Sequence, residues 1–153
     1  MSLIMLFIIL QSILLLFMLL HDLIKVPPFN DIDALRATDS TSWLIFSTIV
    51  NSFCVAIPLY LTLQLFFQSA FSCARLIIVC FYALLTFGTI CSWWMPYILG
   101  SSASHKMHFH KFKNTHHFLP ARGNNVVPNS LHVVLHLLVW SCCALSIYFY
   151  FMV

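Results

Sequence analysis

The sequence predicts an all-α integral membrane protein: four transmembrane helices in one bundle, with one long polar loop between the third and fourth. Three observations predict it. The 153 residues are 61% hydrophobic and only 7% charged, whereas a soluble domain carries roughly 25% charged residues, so these charges are too few to cover a water-facing surface. Four apolar runs are each long enough to cross most of a ~30 Å hydrocarbon layer at about 1.5 Å per residue. The hydrophilic residues are also segregated: seven of the eight histidines and four of the seven Lys and Arg residues lie between His105 and His136.

Residues 1–153 read as a single domain with spans at about 3–20, 43–67, 76–94 and 131–153. Leu3 to Leu20 is interrupted only by Gln11 and Ser12. It has no basic n-region, runs longer than the usual ~7–15 residue signal core and is not followed by a small-x-small cleavage site, so it is expected to be a retained first span. It ends at His21-Asp22, before Pro27-Pro28 bars further helix. Residues Pro27 to Ser40 form a polar loop with Asp31, Asp33 and Asp39, expected to be solvated and capping groups. Asp39, Ser40, Thr41 and Ser42 are candidate N-caps for the second span.

The second span contains Asn51, Pro58 and Gln64. Pro58 is expected to kink it, and Asn51 and Gln64 to hydrogen-bond to neighbouring helices at about 1 kcal/mol each. The connector from Gln68 to Arg75 is short enough to force an antiparallel neighbour. Trp43 opens the second span and Trp93 and Trp94 close the third, so antiparallel pairing puts all three at one membrane face, as interfacial anchors. The fourth span follows Pro128-Asn129-Ser130, with Asn129 or Ser130 as N-cap. Tyr148 and Tyr150 fit the opposite interface.

Four spans place both termini on one side and both long loops on the other. The loop side carries Lys25, Arg36, Lys106, Lys111, Lys113 and Arg122, against Arg75 on the other side. The positive-inside rule therefore predicts cytoplasmic loops and outside termini. The net charge of +3 is local to a membrane-facing loop, and no basic stripe or stacking platform points to nucleic acid. The six cysteines contain no CxxC and read mostly as small hydrophobes. With three glycines in the chain there is no GxxxG, so helix packing must use Ser, Ala, Cys and Thr.

The histidine-rich loop, 101–130, is the predicted functional surface. His132 and His136 stand four apart in the first turns of the fourth span, project from one side of it and could offer two imidazoles to one metal. Arg122, Lys111 and Lys113 are candidate contacts for a lipid headgroup or substrate. His105 to Lys113 reads as a basic interfacial segment whose apolar side chains dip among headgroups.

HVVLH, from His132 to His136, and the vicinal pair of THH, His116 and His117, resemble the histidine boxes of the integral-membrane fatty-acid desaturases and hydroxylases. Those families hold iron at one membrane face, so the resemblance implies a metal set of His132, His136, His116 and His117. It covers about a fifth of the chain. It departs from the family pattern before the vicinal pair, where His110 precedes His116 by six residues instead of two or three.

Three functions follow. The first is a non-catalytic accessory, scaffold or interaction subunit with a basic, histidine-rich cytoplasmic loop, its partners being the lipid bilayer and other membrane subunits or copies of itself. The alternative is a metal-dependent membrane enzyme using iron, zinc or haem on a lipid substrate through those four histidines. A small transporter or channel ranks third, because the spans hold few polar groups.

Overall fold

A computed structural model describes residues 2–67 and 73–152 of the chain. Four stretches are long and apolar enough to cross a membrane: Leu3–Leu20, Thr41–Phe67, Ala74–Leu99 and Ser130–Met152, with mean hydropathies of 3.0, 1.9, 2.0 and 1.9. The first, second and fourth are single helices, α1 (Leu3–Leu20), α3 (Thr41–Phe67) and α7 (Ser130–Met152). The third is composite, made of α4 (Ala74–Thr89), a π-helical turn (Ile90–Trp94) and α5 (Met95–Leu99). Two short helices lie outside the spans: α2 (Ile32–Thr38) in the first loop and α6 (Ala103–Phe109) in the histidine loop, the latter continued by a 3-10 turn at His110–Phe112.

The spans contact one another around a closed ring, α1 on α3, α3 on α4, α4 on α7 and α7 on α1. Ser2, Phe66, Arg75 and Phe149 line one cavity at a single end of the bundle. The helices therefore run alternately up and down, with the polar loops at the opposite end. The connector expected at Gln68 to Arg75 falls mainly on residues 68–72, outside the described residues.

The core lies on the inner faces of the ring. Phe7, Leu14 and Met18 of α1 meet Val55 of α3, Ile78 and Tyr82 of α4, and Val139 and Cys142 of α7. Phe7 stacks on Phe149 with centroids 5.6 Å apart and meets Tyr82 edge-on. Lipid is as apolar as these side chains, so interdigitation and not expulsion from water holds the helices together.

The third span runs five residues beyond the sequence expectation, to Leu99. Pro96 has no N–H and its ring would crowd the carbonyl four residues back. The π turn just before it widens the ladder, with the Met95 N–H donating to the Ile90 carbonyl, and helix continues through the proline. Gly100 then ends the span at φ 99°.

Three expectations about individual residues need correction. Trp43 is exposed, as an interfacial anchor should be, but Trp93 is only 7% exposed and packs inward. Asn51 does not join a neighbouring helix; it is exposed on the outer face of α3. Gln64 makes no side-chain hydrogen bond among the described residues. Interhelical bonds within the bundle come instead from Trp140, whose indole N–H donates to the Thr89 hydroxyl at 3.0 Å, and from Gln11, whose amide donates to the Thr62 hydroxyl at 3.1 Å. The Pro58 carbonyl, one turn earlier, accepts from that hydroxyl.

Candidate functional site

The two long loops form one layer across the end of the bundle. Asp31 caps α2 by accepting from the Ala34 N–H, and Ser40 caps α3 by accepting from the Trp43 N–H. Between these caps Ile32 and Leu35 of α2 pack on Leu44 of α3, with Phe112 of the histidine loop against them. Three further contacts join the loops: Lys111 donates to Asp39 at 2.5 Å, the His116 N–H donates to the Pro28 carbonyl at 2.8 Å, and Phe29 meets the His116 ring edge-on. The acids and the histidines thus share a layer, as a metal–carboxylate site would require, but Asp33 and Asp39 pair with lysines, and the acid–histidine pair among the described residues is His21 with Asp22, at 3.2 Å. Asn30 closes the end of α1 by donating to the His21 and Ile24 carbonyls and accepting from the Val26 N–H.

Asn129 is the hub between loop and span. Only 1% exposed, it accepts at Oδ1 from the His132 N–H at 2.9 Å, which makes it the N-cap of α7. The same oxygen faces His132 Nδ1 at 2.7 Å, and its amide nitrogen donates to the Thr115 hydroxyl at 3.0 Å. Thr115 in turn donates to the Phe112 carbonyl, so its oxygen is left to accept from the amide. That chain of roles fixes Asn129 Oδ1 as an acceptor and puts the His132 proton on Nδ1. The Nε2 lone pair of His132 has no protein partner among the described residues. Its ring lies 4.1 Å from Trp93 and 4.9 Å from Phe112, centroid to centroid.

His136 takes the opposite tautomer. Trp94 Nε1 lies 3.1 Å from His136 Nδ1, and an indole nitrogen only donates, so Nδ1 holds the lone pair and Nε2 the proton. The two rings of the HxxxH pair are 6.2 Å apart, but each has its Nδ1 engaged by a protein group. The vicinal pair is engaged as well. His116 Nδ1 lies 2.7 Å from the Ser130 hydroxyl, while its carbonyl accepts from the Ser130 N–H. His117 places Nδ1 3.3 Å from the Pro128 carbonyl and Nε2 3.1 Å from that of Phe112. Carbonyls only accept, so neither nitrogen of His117 aims a lone pair into open space. Among the described residues no three His, Cys, Asp or Glu side chains converge as a metal would need.

The candidate headgroup contacts separate. Arg122 lies over the Tyr97 ring at 5.4 Å and Lys111 is held by Asp39, whereas Lys113 is exposed and lines a cavity in the loop layer. Sequence reasoning missed Tyr97, whose hydroxyl donates to the Pro120 carbonyl and whose own carbonyl accepts from Asn125, pinning the second half of the loop. It also missed the inward role of Trp93 and Trp94. The available signal was their place just before Pro96, where a helix must change register. No family model, curated protein or solved structure matches this chain.

Proposed function

We propose that this chain is a non-catalytic accessory or interaction subunit of the membrane, with its basic, histidine-rich loop layer in the cytoplasm. The observation that carries the reading is Asn51. It lies ten residues into α3, roughly 15 Å from the helix start, on a face that otherwise presents apolar side chains and Ser47. Ser12 and Ser47 satisfy their hydroxyls within their own helix, donating to the Ile8 and Trp43 carbonyls at 2.8 Å each, whereas the exposed hydroxyls of Ser92 and Ser141 make no side-chain hydrogen bond among the described residues. Asn51 has no such bond among the described residues, and an unpaired amide in hydrocarbon costs several kcal/mol. A helix of another subunit or of a second copy, laid along Ser47, Asn51 and Cys54, removes that cost.

The test is the association state of the purified protein in bilayers, by single-molecule photobleaching with and without its co-purifying proteins. Asn51→Leu is expected to reduce association without unfolding the bundle; unchanged association would sink the reading. Labelling Cys73, an exposed thiol at the end opposite the loops, tests the orientation. Reaction from the outside is expected, and reaction only from the cytoplasm overturns it.

The metal-enzyme reading keeps one observation in its favour, the unengaged Nε2 of His132. Metal analysis of protein made without a polyhistidine tag separates the two readings. The subunit reading expects no stoichiometric iron, zinc or haem; stoichiometric metal lost in the His132→Ala, His136→Ala variant would replace it with the enzyme.

A further inference from the structure

The loop layer holds an open cavity of about 440 Å³ between α6 and the segment that returns to α7. A second, of about 790 Å³, lies between α6 and α2, and the two share Lys106, His110, Lys113 and Asn124. The first cavity has an apolar lining that includes Trp93, Phe109 and Phe112. No aspartate or glutamate lines either one. Among the lysines around them Lys111 is matched by Asp39, whereas Lys106 and Lys113 meet no carboxylate among the described residues. Two uncompensated ammonium groups thus stand beside an aromatic surface at the end of a transmembrane bundle.

We propose that this cavity binds an amphiphile bearing a phosphate ester, with the head at Lys106 and Lys113 and the apolar chain against Trp93, Phe109 and Phe112. The volume falls within the range of small-molecule sites and is more than ten times a water molecule's ~30 Å³ share, so a bare phosphate would leave the aromatic lining wet. A ligand with only an apolar chain would leave both ammonium groups unanswered. Lysine binds phosphate as a point charge, and two of them match a dianionic head. The ligand's source is either a bilayer lipid or a water-soluble phosphorylated acyl compound, which share this chemistry. The proposal does not depend on what covers α3.

Titrating the full chain in neutral detergent with dioctanoyl phosphatidic acid, and following tryptophan fluorescence, tests it. Saturable binding is expected, at least tenfold tighter than that of inorganic phosphate or of dioctanoylglycerol. The Lys106→Gln, Lys113→Gln variant should lose at least tenfold in affinity while keeping its unfolding temperature, and Lys25→Gln, whose ammonium pairs with Asp33 instead, should bind like wild type. Added salt should weaken binding. Equal affinity for inorganic phosphate, no saturation, or an unaffected double variant would each overturn the proposal. Repeating the titration in bilayer discs doped with long-chain phosphatidic acid identifies the source. Competition from the doped lipid points to a membrane ligand, and undiminished binding of the soluble probe points to a soluble one; either outcome supports the site itself.

Discussion

The head of α7 and the outer face of α3 handle the same problem in opposite ways. Both place polar side chains within a membrane span. At the head of α7 the polar side chains are turned inward and each meets a protein partner: His132 through Nδ1 with Asn129, His136 through Nδ1 with Trp94, Ser130 with His116. On α3 the amide of Asn51 is turned outward and makes no hydrogen bond among the described residues. Inward polar groups tie a chain to itself. An outward hydroxyl can close on its own helix, as Ser12 does; on the proposed reading the outward amide of Asn51 is answered by another helix, and this difference separates the residues that build this fold from the one proposed to serve association.

The largest effect is expected where the inward network converges. Asn129→Ala removes the N-cap of α7, worth about 1 kcal/mol, and leaves buried partners unpaired at about 1–3 kcal/mol more. Unfolding in detergent should show a loss of roughly 3 kcal/mol, with faster hydrogen exchange from Thr115 to Ser130. A loss below about 1 kcal/mol would mean that the histidine network is decoration and that the contrast with α3 is false. Next comes Asn51→Leu, expected to weaken association in bilayers at least tenfold, about 1.4 kcal/mol, with the unfolding midpoint unchanged or raised.

Gln11→Leu is smaller. Its bond to Thr62 is worth about 0.6 kcal/mol, and its Oε1 is buried without a partner, so the substitution should be close to neutral in the same unfolding measurement. A cost matching that of Asn129→Ala would show that the middle of the bundle, and not its loop end, carries the polar specificity. The smallest effect is Asp33→Asn. Lys25 holds the Asp33 carboxyl below the usual carboxylate range by hydrogen bond and charge. Because its folded value is the lower one, any stabilisation is present above the ordinary carboxylate value and is lost as pH falls through the depressed one. Both side chains are exposed, so no measurable change in unfolding is expected around neutral pH.

The architecture was legible in the sequence because lipid imposes it: each span must be apolar, long and helical, and hydropathy records all three. The N-cap of α7 was legible too, since Pro128-Asn129-Ser130 is local chemistry. What hydropathy does not record is which way a polar residue faces. Asn51 and Gln64 read as glue and Gln11 as a mere interruption, yet Gln11 reaches Thr62 while Asn51 looks out. The direction depends on which stripe of each helix the ring of neighbours covers, and these spans are apolar on all sides. The roles of Trp93 and Trp94 were hidden for a related reason. The π turn before Pro96 alters the register of the third span, and a count along the sequence assumes a regular helix. The histidines were correctly gathered at one face, and His132 finds its partner Asn129 only three residues away, but the partners of His116 and His136, Ser130 and Trp94, lie 14 and 42 positions off, beyond the reach of spacing.

Photo-crosslinking in native membranes tests the central claim most directly. A benzophenone side chain replaces Cys54, which shares the Asn51 face of α3 and is exposed; in a control it replaces Cys80, an exposed residue of α4. A discrete protein adduct from position 54, absent from position 80 and lost with Asn51→Leu, is the predicted result. Lipid adducts alone from both positions would contradict the account, because Asn51 would then face the bilayer with nothing to pair it.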